Sequence, residues 1–360
     1  MPALDTTVGR APATYAPEQA PHQLWRTGGD FPLESGEAIR DFAISYVTHG
    51  RLNAARDNAV LMATAIGGNH HRLDFLIGPG KGLDTDRHVI VCVDAIGNGL
   101  TSSPSNSALQ PRMAFPRFTM RDMVASQHLL LTGHLGIERL LAVIGPSMGG
   151  MQALQWGVSH PDFMAGLIPI APLARAAPWT VAILQATRKA IMLDPAWEGG
   201  NYARQPEQGL RLCRDILNLI AGRCPEGYRD MFPADPLEAI PWIERMETML
   251  LPACDANDWI YQTWAYERHD IATTPGMDGD MVKALRTIRA TTLVLTATRD
   301  LLNPEYEPEE AARFVPDARV MRINSGTVRG HAAGGGFFPP DVDWLNRETA
   351  AFLAELRARR

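Results

Sequence analysis

The segment LLAVIGPSMGGMQALQW (140–156) constrains this chain more than any other. An apolar run stops at Gly145-Pro146-Ser147, and a helical pattern starts at Met148. Gly145-Pro146-Ser147-Met148-Gly149 matches G-x-S-x-G in the context that motif requires: strand, sharp turn, helix. Side chains beside so tight a turn would collide, which accounts for the glycines. The turn holds the Ser147 hydroxyl out above a sheet edge. The Met148 N–H, at a helix N-terminus, points into the same space and can stabilise an oxyanion. A serine that merely caps a helix shows the same short pattern. The reading therefore depends on whether a base and an orienting acid accompany Ser147.

Candidates for both follow in chain order. Asp300 directly follows the strand TTLVLTATR (291–299), so it emerges at the C-terminal edge of the sheet. His331 comes after the next strand, in Gly330-His331-Ala332-Ala333-Gly334. The order serine, acid, histidine, each at a strand end, is the one a strand–turn–helix nucleophile uses. A second oxyanion donor is expected from the loop after an early strand, Thr64-Ala65-Ile66-Gly67-Gly68, with the Ile66 N–H as candidate. His70 and His71 follow, but no further ligand at helical spacing joins them, so they read as wall or surface residues and no metal is expected. Asp94 also ends a strand, but it precedes the serine and reads as structural.

Short apolar runs alternate with helical patterns over the first half, the signature of an α/β sheet. Runs at 42–50, 58–66, 89–97, 140–145 and 167–172 read as strands, and 120–136 reads as a helix. The texture then changes to Trp, Met, Arg and Leu among helix formers, in segments such as 180–194, 208–222 and 241–254. Strands resume at 291–300 and 318–325, and 343–360 reads as a closing helix. The expected organisation is an N-terminal tail over 1–25, a mostly parallel α/β core over 26–173 and 287–360, and a helical lid inserted at 174–286. The tail is rich in Pro, Ala and Thr and lacks the basic and apolar regions of a signal peptide. Net charge is −6 with no basic block, which argues against a nucleic-acid partner. No apolar run approaches the ~18 residues of a membrane span. The four cysteines are widely spaced and form no CxxC, as thiols of a reducing compartment would be. A cytoplasmic protein is expected.

Several stretches together carry a more specific signal: GRLNAARDNAVL (50–61), LIGPGKGLDTDRHVIVCVDAIG (76–97), IGPSMGGMQALQW (144–156), CDANDWIY (254–261) and the Gly-His pair at 330–331. Over nearly its full length the chain resembles the homoserine O-acetyltransferase family of α/β-hydrolases. The resemblance implies a triad of Ser147, Asp300 and His331, a helical lid over a deep tunnel, and often a homodimer built through the lid. In that family the serine takes acetyl from acetyl-CoA and passes it to the homoserine hydroxyl.

Departures from the family pattern shape the functional expectation. The family's homoserine acceptors typically carry an aspartate after the histidine, as G-H-D, which holds the substrate ammonium. Here that position is Ala332. A zwitterion buried in a tunnel needs an opposite charge for its ammonium. The family also uses a lid arginine for the substrate carboxylate. Arg223 is the candidate for that place, preceded by Gly222 where a tyrosine is usual. The sequence after His331, AAGGGFF, is small and apolar where the family is polar, and Pro146 replaces the usual glycine. The pocket thus reads as rebuilt for an uncharged partner, and the chain looks similar to esterases of this family that act on alkyl acetates. The expected activity is that of a carboxylic ester hydrolase on small, neutral acetate esters, with no cofactor. Acetyl-CoA-dependent transfer to homoserine or another small alcohol is the alternative, because both reactions share the acyl-enzyme.

Overall fold

The computed structural model describes residues 16–250, 255–323 and 328–359. Its centre is an eight-stranded sheet ordered β1-β4-β6-β5-β7-β8-β9-β10. The strands are β1 (Gln23–Arg26), β4 (Ala43–His49), β5 (Ala59–Ala63), β6 (Val89–Val93), β7 (Leu140–Pro146), β8 (Met164–Ile170), β9 (Thr291–Ala297) and β10 (Ala318–Ile323). β2 (Phe31–Pro32) and β3 (Ala38–Ile39) form a separate two-stranded ribbon. The ladders from β6 through β10 are parallel, while β4 runs antiparallel to both of its neighbours. This is the mostly parallel α/β-hydrolase architecture expected from the alternating pattern.

The central strands are buried on both faces, as their continuous apolar content requires. Side chains alternate between two cores with the strand period of two. Leu61, Val91 and Val143 face a core shared with α1 (Met120–Leu129) and α2 (Met148–Ser159). Val60, Met62, Ile90 and Ile144 face the other, which contains Phe352 and Leu356 of the closing helix Pro339–Ala358.

Between β8 and β9 lie α3 (Pro178–Met192), α4 (Glu207–Ile220), α5 (Pro225–Met231), α6 (Ala239–Leu250), α7 (Ala256–Glu267) and α8 (Met281–Thr287). Two further helices follow, α9 (Tyr306–Ala312) and α10 (Pro339–Ala358). Ile191, Leu210, Cys213, Trp259 and Ile260 form a separate small core among the inserted helices. Tyr261, Ala265 and Tyr266, on the other part of α7, belong to the core of the main sheet. α7 therefore links the insertion to the sheet, which the change in sequence texture did not reveal.

Two expectations need correction. Residues 23–25, placed in the tail by composition, form the edge strand β1, paired antiparallel to β4 from Gln23 opposite Tyr46. The helix expected over 120–136 is regular only to Leu129 and continues as a π-helical turn through His134. The tail over 1–15, Cys254 and the end of the run at 318–325 lie outside the described residues. Cys92 and Cys224 are buried free thiols, and Cys213 is buried as well. Among the described residues no helix is long and apolar enough to cross a membrane.

Candidate active site

β7 ends at Pro146, and Ser147 turns the chain sharply into α2 with φ 54° and ψ −116°. A non-glycine residue held at positive φ stores strain, a condition typical of functional turns. The backbone on either side is packed tightly. A Cβ on Gly149 would sit 2.3 Å from the Ala63 carbonyl oxygen, and one on Gly145 would sit 2.5 Å from Gly149 carbonyl atoms. Both glycines are thus required by contact. The Ser147 N–H donates to the Ile170 carbonyl at 2.7 Å, tying the turn to β8. The Ser147 hydroxyl is buried and, among the described residues, makes no hydrogen bond of regular geometry.

Asp300 follows β9 by way of Arg299, which also adopts a positive φ of 60°. Its carboxylate is fully buried. Oδ1 accepts the N–H groups of Leu302 at 2.9 Å and Asn303 at 2.8 Å. Oδ2 lies 2.7 Å from Nδ1 of His331. The α3 side chains Trp179 and Thr180 donate to the carbonyls of Leu301 and Leu302, which fixes the loop that carries the acid. With Nδ1 on Asp300, the free nitrogen of His331 is Nε2, the tautomer a general base needs. His331 sits in the 3-10 turn Gly330–Gly335. That turn packs against the end of β8, where a Cβ on Gly334 would meet Ile170 at 2.8 Å. Ile170 thus lies under both the serine turn and the histidine turn.

The loop after β5 lies beside the serine because β5 and β7 are neighbours in the sheet. Gln152 of α2 donates to the Thr64 carbonyl at 3.1 Å. Gln262 of α7 accepts the Gly67 N–H at 2.8 Å, and Trp259 packs on Gly67. Ile66 is half-buried between these anchors, and Met148 is buried at the start of α2.

Other sequence candidates fall elsewhere. Asp94 has its carboxylate occupied by the N–H and Nδ1 of His70, by Asn98 and by the Ser45 hydroxyl. His71 pairs with Asp74. Among the described residues no group of three His, Cys, Asp or Glu side chains is arranged to hold a metal. Arg223 reaches the histidine loop with its backbone, but its guanidinium stacks on Trp242 and Phe338, with ring centroids at 5.3 and 4.8 Å. Burial, with Arg329 nearby, lowers its pKa from the ordinary value. Ala332 is buried directly after His331.

Sequence reading did not single out Gln262, Tyr266 or Asn303. Tyr266 is fully buried; its hydroxyl donates to Asn303 Oδ1 at 2.8 Å and faces the Ser147 hydroxyl. Burial pushes its phenol well above the usual range. A signal was available: extending CDANDWIY as a helix puts Trp259, Gln262 and Tyr266 on one face, at i, i+3 and i+7.

Similarity to known proteins covers the same elements. A family profile for the alpha/beta hydrolase fold matches residues 58–327. The homoserine O-acetyltransferase of Moorella thermoacetica is 35% identical over an alignment of 360 residues, covering 90% of this chain and 94% of that protein. Among solved structures, the acetyl esterase MekB superposes with a TM-score of 0.85 at 28% identity, over 93% of this chain and 97% of that one. The homoserine O-acetyltransferase of Bacillus anthracis superposes with a TM-score of 0.82 at 27% identity, over 93% of this chain and 97% of that one.

Proposed function

Because the chain belongs to the homoserine O-acetyltransferase family of α/β-hydrolases, we propose that it is a serine carboxylesterase acting on small, neutral, short-chain esters, acetates foremost. The observation that carries this reading is Ala332, a buried methyl group directly after the histidine. A homoserine ammonium brought to that position would be desolvated without a carboxylate from that residue, a loss on the order of 2–5 kcal/mol. A neutral ester meets no such cost.

In this mechanism His331 Nε2 takes the proton of Ser147 as Oγ attacks the ester carbonyl. Asp300, already paired with Nδ1, holds the ring and stabilises its charged form. The N–H groups of Met148 and Ile66 receive the oxyanion, each such donor contributing about 3 kcal/mol to the barrier reduction. His331 then protonates the leaving alcohol. Water, activated by the same nitrogen, cleaves the acetyl–Ser147 ester and releases acetate.

The names of the sequence relatives favour a second reading, transfer of acetyl from acetyl-CoA to an alcohol. One experiment separates the two. Purified enzyme receives ethyl acetate in one arm and acetyl-CoA with L-homoserine in the other, with Ser147→Ala as the blank. Acid release in the first arm, without homoserine-dependent thiol release in the second, is the expected result. Homoserine-dependent thiol release would overturn the esterase reading.

A cytoplasmic homodimer built through the inserted helices completes the proposal. Leu212, Leu219, Leu237, Ile240 and Met249 expose large apolar side chains there, which supports an interface on that face. Sedimentation of a species twice the chain mass is the expected outcome.

A further inference from the structure

The proton positions around Tyr266 follow from its partners. The Asn303 side-chain N–H donates to the Ala171 carbonyl at 2.8 Å, and a carbonyl can only accept. Asn303 Oδ1 therefore faces Tyr266, and it too can only accept, so the phenol proton is committed to Asn303 at 2.8 Å. Asn303 is itself anchored by its N–H to the Asp300 carboxylate. What Tyr266 turns toward Ser147 is thus a lone pair, fixed through Asn303 to Ala171, just past β8, and to the acid loop. Tyr266 has no solvent exposure.

The consequence appears once the serine is acylated. In the free enzyme the Ser147 hydroxyl hydrogen can turn toward that lone pair. In the acyl-enzyme Oγ is an ester oxygen with no hydrogen, so the buried acceptor loses its local donor. An incoming water carries two hydrogens. One goes to His331 Nε2; the other needs an acceptor in a site with few. An incoming alcohol has a single hydroxyl hydrogen, which His331 takes, and it gains nothing from a second acceptor.

We propose that the Tyr266 hydroxyl oxygen, oriented by Asn303, receives the second hydrogen of the water that cleaves the acyl-Ser147 ester, and so biases the acyl-enzyme toward hydrolysis over transfer. The inference rests on the reading of Ser147 as nucleophile. In the step, the water oxygen bonds to the acyl carbonyl carbon as one water proton passes to His331. The carbon–Oγ bond then breaks, and Oγ recovers that proton from His331. The remaining hydrogen leaves with the product acid.

Tyr266→Phe keeps the ring and removes the oxygen. Pre-steady-state hydrolysis of p-nitrophenyl acetate, with and without methanol, separates acylation from the fate of the acyl group. The expected result is a methyl acetate to acetate ratio raised about tenfold, with acetate release slowed by a similar factor relative to nitrophenol release in the first turnover. That ratio is independent of how much of the variant folds. An unchanged ratio, whether or not both phases slow together, would overturn the proposal and leave Tyr266 a packing residue. If wild-type enzyme releases no acetate that depends on Ser147, the esterase reading fails first and this inference with it.

Discussion

Gln262 Oε1 accepts the Gly67 N–H at 2.8 Å across 195 residues of sequence, joining α7 to the loop after β5. The inserted helices thereby help to hold the loop that carries Ile66. Gln262→Leu leaves a Gly67 N–H without its partner, at a cost of about 1–3 kcal/mol. The expected outcome is a lower melting temperature together with a fall in kcat larger than any rise in KM, because the loop bearing Ile66 loses its anchor. Steady-state kinetics beside a thermal melt check both.

Asp300→Asn is expected to keep the fold and lower turnover by about 10⁴. An amide can present its N–H to Nδ1 and so favour the wrong imidazole tautomer. Acetate release by the folded variant, verified by circular dichroism, measures the loss. Activity within tenfold of wild type would remove Asp300 from the mechanism.

Gly149→Ala forces a methyl group to 2.3 Å from the Ala63 carbonyl oxygen, where backbone on both sides must move. Overpacking of this kind costs about 1–3 kcal/mol. The strand–turn–helix unit should shift, so the melting temperature and the reactivity of Ser147 toward a fluorophosphonate are both expected to fall.

Acid stability should follow three histidines, His49 and His269 buried and His160 half-buried. Burial, with His70 and His71 nearby for the first and His128 for the second, lowers the pKa of His49 and His160 from 6.5 to about 4. Burial alone is the main cause for His269, also lowered to about 4. Above the ordinary value all three are neutral in folded and unfolded chains. As pH falls from about 6.5 toward 4, the unfolded chain takes up protons that the folded chain refuses, so stability present at neutral pH is lost over that window. Thermal melts from pH 7 downward should show this decline, and His269→Phe should make it shallower. A melting temperature that is flat between those values would contradict the assignment.

The legible parts of this protein are those that depend on neighbours in sequence. The short, continuous apolar runs marked β4 through β10, and the glycines around Ser147 marked the turn, because strand burial and turn sterics are written in a few consecutive residues. The order of Asp300 and His331 after their strands located them for the same reason. The structure sets their side chains 2.7 Å apart. Edge strand β1 was hidden by its Pro-rich surroundings, since an edge strand carries only half a burial pattern.

The amino-acid sequence by itself determined the sheet, the strained serine turn and the strand ends where an acid and a histidine stand. Only the tertiary structure decided what surrounds them. Packing of α7 against the sheet core delivers Gln262 to Gly67 and Tyr266 to Ser147, and it sets the phenol against Asn303, 37 residues away in sequence. Arg223, which the family resemblance placed on a substrate, stacks between aromatic rings. Such contacts depend on how two separately formed layers dock, and docking is fixed by the shape and polarity of whole faces. No short motif encodes that fit.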